Sequence, residues 1–343
     1  MTIVEIKTLI TITRTPTPVK QVHNTVSLPP KTDASTGRCQ TDTNSVFRFA
    51  PSPNGLLHLG HAYSALVNAK MAKASGGKFL LRIEDIDVGR ARQEFVDAIF
   101  EDLDWLGLSW ENEVVRQSDR FVHYQEAAAR LDKLGVTYPC FLTRQELATI
   151  ARQTNNEKDE FGAPLYLRAS RGLSGDDVDQ LKRDGKPFAL RLNMAKCLDL
   201  VAQKNAKSKL TFSAWDGEDG CNAITASPGQ WGDEVIVRKD VPASYHLAVV
   251  VDDAMQGISH VVRGQDLYAS TGLHRMLQVL LDLPEPVYHH HKLIVDENLR
   301  KLSKSEGDLS LRALREAGVD RNEICQHLED FLASRNMSLF SWR

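Results

Sequence analysis

The chain has 343 residues, 42% hydrophobic and 25% charged, with a net charge of −3. These values suit a globular protein of two or three domains and exclude a globally basic nucleic-acid coat, so any RNA contact must use a local basic patch. No apolar run approaches the ~20 residues of a membrane span. The scattered cysteines (Cys39, Cys140, Cys197, Cys221, Cys325) contain no Cys-x-x-Cys pair and fit a reducing cytoplasm better than a disulfide framework.

Residues 1–45 are rich in Thr, Pro, Val, Ser and Lys and poor in large apolar anchors. They read as a poorly ordered extension, or as the product of a start codon placed too early. Sparse acids (Glu5, Asp33, Asp42) keep an organellar presequence open, although no amphipathic Arg-rich helix is seen. The globular part begins with an apolar strand at 46–50 and a Pro-Ser-Pro-Asn-Gly turn. A helix follows at 59–75, stopped by Gly76-Gly77, with His58, Gly60 and His61 in its first turns. Strand, glycine-bearing turn and helix N-terminus form a phosphate site. Histidines three apart share a helix face, and Gly60 between them leaves room for a flat base on the backbone.

The segment 78–85 reads as a buried parallel strand whose carboxyl end carries Glu84, Asp85 and Asp87; ligands of open α/β sheets sit at such ends. Asp87 is expected to cap the next helix (90–106), whose apolar stripe is core. A helix at 124–134 precedes an insertion spanning 136–230. The second half, 231–305, offers strands at 233–238, 258–263 and 292–295, a buried segment at 245–253, and a helix from Gly264 to Leu281. Two short helices, 309–317 and 321–333, fit into 306–343. Strands alternating with helices predict an α/β fold: a Rossmann-like, doubly wound parallel sheet in two halves (46–135 and 231–305) with an inserted acceptor-type subdomain and a short helical C-terminal segment.

The stretch Phe47 to His61 resembles the HIGH signature of class I aminoacyl-tRNA synthetases, and Lys301-Leu-Ser-Lys304-Ser305 resembles their KMSKS loop. Either pattern alone is weak; both, in order and 240 residues apart, are specific. Arg48-Phe-Ala-Pro-Ser-Pro, Arg82-Ile-Glu-Asp-Ile-Asp87 and Arg263-Gly-Gln-Asp266 are similar to motifs of the glutamyl branch. Tyr245-His-Leu-Ala-Val-Val-Val-Asp-Asp253 resembles its small paralogues, the glutamyl-Q tRNA(Asp) synthetases. Only 38 residues follow Ser305, too few for an anticodon-binding domain.

The resemblance implies two reactions: glutamate with Mg²⁺-ATP gives glutamyl-adenylate, and the glutamyl group passes to the queuosine base of tRNA(Asp). Glutamate brings two carboxylates and one ammonium. Arg48 and Arg263 are the candidate cations, because a guanidinium binds a carboxylate bidentately. Glu84 is the partner for the ammonium, and Ser52 and Tyr245 donate hydroxyl hydrogen bonds. Which arginine takes which carboxylate is left open by the sequence. His58 and His61 would donate to phosphate oxygens, Gly60 would bed the base, and Lys301 and Lys304 would neutralise the leaving pyrophosphate. The protein is expected to be a cytoplasmic monomer.

Relatives often bind zinc through Cys-x-Cys followed by Tyr and Cys. The matching positions are Cys140, Leu142, Tyr166 and Ser170, two thiolates short of a structural site, so no zinc is expected. Consecutive residues on an extended chain point to alternate sides, so the row His289-His290-His291 reads as a solvated strand end. Competing readings are a truncated synthetase charging tRNA(Glu), a non-catalytic tRNA- or nucleotide-binding paralogue, and a nucleotidyltransferase of the same broad fold. Intact His58, Gly60, His61, Lys301 and Lys304 argue against the second, and the glutamate-shaped set argues against the third.

Overall fold

The computed structural model describes residues 43–111, 113–153, 173–205, 208–215, 220–294 and 310–333. Strand β1 (Val46–Phe49) pairs in parallel with β2 (Lys78–Ile83), which pairs in parallel with the two-residue β3 (Val115–Arg116). A second parallel set is built around β10 (Val287–His291), flanked by β9 (His260–Gly264) and β6 (Thr211–Trp215); β7 (Cys221–Thr225) closes the edge antiparallel to β6. The two sets meet where the Ser259 N–H donates to the Val46 carbonyl (3.1 Å) and the Val46 N–H to Ser259 Oγ (2.7 Å). Towards their carboxyl ends β1 and β9 are bridged by a side chain: Arg48 Nη1 donates to the Val262 carbonyl, which also accepts from Asn68 Nδ2 of the helix that follows β1. Such a switch between half-sheets leaves a crevice at the strand ends.

The alternation of side chains decides what each face holds. Phe47, Phe49, Phe79, Leu81, Ile83 and Val262 pack with helix α1 (Leu59–Ser75) and helix α2 (Gln93–Trp105) in one buried cluster. The odd positions out, Arg48, Arg82 and Arg263, lie on the opposite face. Their partners come from helix α7 (Tyr245–Met255) and helix α8 (Ser270–Leu281), which pack with helix α3 (Phe121–Lys133) in a second cluster. Helices on both faces of a mainly parallel sheet make the doubly wound α/β architecture. Helix α1 has the expected bounds, because Gly76 takes a left-handed conformation (φ 67°) that ends it.

Between the halves, β4 (Thr137–Cys140), β5 (Ala189–Leu192) and β8 (Val235–Val237) form a separate antiparallel sheet, accompanied by α4 (Arg144–Gln153), α5 (Gly175–Arg183) and α6 (Met194–Lys204). Strand pairing therefore crosses the expected boundary at 230. β6 and β7, inside the expected insertion, complete the main sheet, while β8, beyond it, pairs with the insertion. Asp233 fastens that return: it accepts from Tyr138 Oη (2.8 Å) and the Met194 N–H (3.0 Å). The described residues end with α9 (Leu311–Glu316) and α10 (Arg321–Ala333), close to the expected pair.

Two local expectations are corrected. Asp87 does not cap α2, whose N-cap is Arg92 with no side-chain bond; Asp87 Oδ2 instead accepts from Arg238 Nη1 (3.2 Å). The histidine row is not solvated either. It is the carboxyl half of β10, ending at His291, where a strand at 292–295 was expected. With strands on both sides, its side chains must enter the two faces: His289 and His291 are 4% and 3% exposed, and His290 meets Arg263 and Thr271.

Candidate active site

A cavity of about 590 Å³ opens at the carboxyl ends of β1, β2, β9 and β10. Arg48, Ser52, His58, Gly60, His61, Glu84, Tyr245 and Arg263 all line it. The expected phosphate, base and glutamate positions, up to 215 residues apart in sequence, thus share one wall system. Lys301 and Lys304 lie outside the described residues. The flanks of their segment do not: Ile294 lines the cavity, Ser310 bridges to His58, and the Leu311 N–H donates to the Leu57 carbonyl (2.8 Å).

His58 is the N-cap of α1 in extended conformation, one residue outside the helix, where it was expected inside. The two histidines cap reciprocally. His58 Nδ1 accepts from the Gly60 N–H (3.1 Å) and His61 Nδ1 from the His58 N–H (3.2 Å), with ring centroids 3.8 Å apart. A neutral imidazole whose Nδ1 accepts carries its proton on Nε2, so each ring is a donor. A Cβ on Gly60 would come within 3.0–3.1 Å of the His58 ring, so the glycine preserves both the cap and the bare surface.

Behind the cavity lies a buried charge network that the sequence reading did not assign. Arg82, fully buried, donates to Asp253 (2.8 Å), Glu84 (3.2 Å) and Gln256 (2.9 Å). Asp253 also accepts from Arg48 Nε (3.1 Å) and Nη2 (3.5 Å). Asp252 accepts from Gln117 (2.9 Å), Arg120 (2.7 Å) and Tyr124 (2.8 Å). Arg48, Arg82 and Arg120 are thus matched by Glu84, Asp252 and Asp253, as buried charges require. Burial pushes the Glu84 carboxyl above the usual carboxylate range, against the pull of Arg82 and Arg48. For Asp253 burial is outweighed by Arg48 and Arg82, which hold it below that range. Arg82 and Asp253 sit inside the quoted motifs, so the signal was present; the pairing, across 171 residues, was not.

Arg263 is set differently. It donates to His274, His290, Thr271 and the Leu267 carbonyl, and pairs with no carboxylate among the described residues. Tyr245 opens α7 beside it, and burial raises its phenol pKa. Of the degenerate zinc pattern, Cys140 is 1% exposed and lines a second cavity of about 780 Å³ with Leu142; Tyr166 and Ser170 lie outside the described residues.

A doubly wound sheet, a capped HIGH-type turn at its crevice and an arginine-rich strand-end cavity define a class I synthetase catalytic domain. The model of the class I tRNA synthetases (E and Q), catalytic domain, matches residues 45–337, and the chain belongs to this family of ligases. It is 41% identical to a glutamyl-Q tRNA(Asp) synthetase of Rhodobacter capsulatus, over 81% of this chain and 98% of that protein. It is 38% identical to the glutamate–tRNA ligase of Aquifex aeolicus, over 82% of this chain but 56% of that protein. The crystal structure of the glutamate–tRNA synthetase from Elizabethkingia anophelis superposes with a TM-score of 0.61 at 28% identity, covering 80% of this chain and 54% of the other. No helix among the described residues is long and apolar enough to cross a membrane.

Proposed function

We propose that the chain activates L-glutamate with ATP and transfers the glutamyl group to the queuosine base in the anticodon loop of tRNA(Asp). The observation that carries the first step is the convergence of Arg48, Ser52, Glu84, Tyr245 and Arg263 with His58, Gly60 and His61 in one cavity. In this reading Glu84 and the hydroxyls hold the ammonium and orient the amino acid, and the arginines take its carboxylates. The α-carboxylate attacks the α-phosphorus, the bond to the β-phosphate oxygen breaks, and pyrophosphate leaves as the Mg²⁺ complex in which ATP arrived. His58, His61, Lys301 and Lys304 stabilise the charge that develops on the phosphates. Zinc takes no part in this reading, since of the four candidate positions Cys140, Leu142, Tyr166 and Ser170 only the first carries a thiol. The enzyme works as a cytoplasmic monomer.

Transfer to queuosine is supported by the likeness to the R. capsulatus enzyme across 98% of its length. The likeness to the A. aeolicus ligase favours a second reading, charging of tRNA(Glu). Labelled glutamate and ATP, offered to tRNA(Asp) with and without queuosine and to tRNA(Glu), separate them. Label on queuosine-bearing tRNA(Asp) alone is expected. Label at the 3′ end of tRNA(Glu) would replace that conclusion, and absence of glutamate-dependent ATP–pyrophosphate exchange would remove the activation step as well.

A further inference from the structure

Arg263 is held as no other arginine of the site is. A guanidinium has five N–H donors and no acceptor. Four are committed: Nε to His290 Nε2 (3.3 Å), Nη1 to His274 Nδ1 (3.1 Å), and Nη2 to Thr271 Oγ1 (2.8 Å) and the Leu267 carbonyl (3.2 Å). One Nη1 N–H is left, on a residue that lines the cavity.

The donors fix the imidazoles in turn. A ring nitrogen that accepts from a guanidinium carries no proton, so His274 has its N–H on Nε2, which meets His246 Nδ1 at 3.0 Å. His290 Nε2 accepts from Arg263 and is also in contact with Thr271 Oγ1 at 3.1 Å. His246, His274 and His290 are all held in the neutral form, by burial first and by Arg263 next. Arg263 is therefore fixed by four neutral acceptors, while Arg48 and Arg82 spend their charge on carboxylates. Asp266 also lines the cavity and forms no ion pair with Arg263.

We propose that His274 and His290 are positioning residues that keep Arg263 an uncompensated cation on the cavity wall, so that the site selects an amino acid with an anionic side chain over its neutral amide. This rests on the reading of the cavity as an amino-acid site. Buried cations demand a partner; here the described residues withhold one and the side-chain carboxylate of the substrate supplies it. A neutral carboxamide would leave the guanidinium unmatched.

The test compares a neutral and a charged replacement of the same shape. In glutamate-dependent ATP–pyrophosphate exchange, His274→Gln keeps an uncharged acceptor and should hold the glutamate KM within about threefold. His274→Glu supplies the missing counter-charge. It should raise the glutamate KM about tenfold or more, leave the ATP KM unchanged, and lower the preference for glutamate over glutamine. A merely structural role predicts that the two variants behave alike, and that result would overturn the proposal. Should His274→Glu not fold, His290→Gln against His290→Glu makes the same comparison, with the same two outcomes. A wild-type chain without glutamate-dependent exchange would instead remove the amino-acid reading, before any variant is compared.

Discussion

Arg82 joins the sheet, α7 and the cavity, and replacing it with methionine tests whether that junction holds the site together. The change keeps much of the side-chain volume and removes the charge facing Asp253 at 2.8 Å, Glu84 at 3.2 Å and Asp252 at 3.9 Å. At an effective dielectric of 20, one pair at 2.8 Å is worth about 6 kcal/mol before desolvation is counted. Removing one partner of a buried pair costs roughly 3–5 kcal/mol, because the acids left behind stay buried. Arg82→Met should therefore lower the free energy of unfolding by about that much in urea titrations at neutral pH. It should also change the chemistry. Burial already raises the pKa of Glu84, and Arg82 is the stronger of the two arginines opposing it. Without Arg82 the carboxyl rises further, and a carboxyl ionises only above its pKa. The acid limb of kcat/KM for glutamate should thus move to higher pH in the exchange assay. A loss below about 1 kcal/mol, or an acid limb that stays in place, would refute the reasoning.

Gly60→Ala puts a methyl against the His58 ring at 3.0–3.1 Å and should raise the ATP KM several-fold with little change in the glutamate KM, both read by exchange kinetics. Lys304→Ala should slow exchange about a hundredfold, the loss of roughly 3 kcal/mol of charge stabilisation at the departing phosphate; a near-normal rate would take Lys304 out of the chemistry. Asp102 of α2 is fully buried with neither carboxylate oxygen hydrogen-bonded, and Arg315 stands 3.9 Å away. Burial, against Arg315 and Arg312, raises its pKa from 3.8 to about 6. The folded state then binds the proton more tightly than the unfolded one, so this group's contribution to stability falls by about 2 kcal/mol as pH rises from 3.8 to 6. Asp102→Asn should lack that component when urea midpoints are compared across this range, and parallel curves for the two proteins would count against it.

What the sequence could show was what local chemistry decides. The span of α1 followed from a glycine stop within the segment. The parallel strand expected at 78–85, which ends at Ile83, followed from its apolar run, and the strand-end acids from their place after it. What it could not show depended on distant partners. Asp87 had the look of a helix cap because Arg238, 151 residues on, is invisible from its own neighbourhood. Three adjacent histidines looked solvated because nothing nearby says that β10 has strands on both sides and helices on both faces. The insertion boundary was misplaced for the same reason: β6, β7 and β8 are similar short strands, and only pairing shows that β6 joins β10 with β7 on its outer edge, while β8 joins β5.

The charges of the site can be read as one arrangement. On the face covered by α7 and α8, the sheet places an arginine in each of three parallel strands: Arg48 in β1, Arg82 in β2 and Arg263 in β9. Helix α7 answers the first two with Asp253, and Asp252 beside it is engaged by Arg120 and Tyr124. A closed set of this kind stabilises little by itself, since desolvation offsets most of the attraction, but it fixes the geometry of the groups at its edge. Glu84 is one of those groups, held by Arg82 from behind while lining the cavity in front. Arg263 is the other, held by neutral rings in place of an acid. Among the described residues the cavity therefore carries an anion and an unmatched cation at its two sides, with a second guanidinium, Arg48, that retains two uncommitted N–H groups. Such an arrangement is complementary to a molecule with one ammonium and two carboxylates and leaves a monocarboxylate amino acid one partner short.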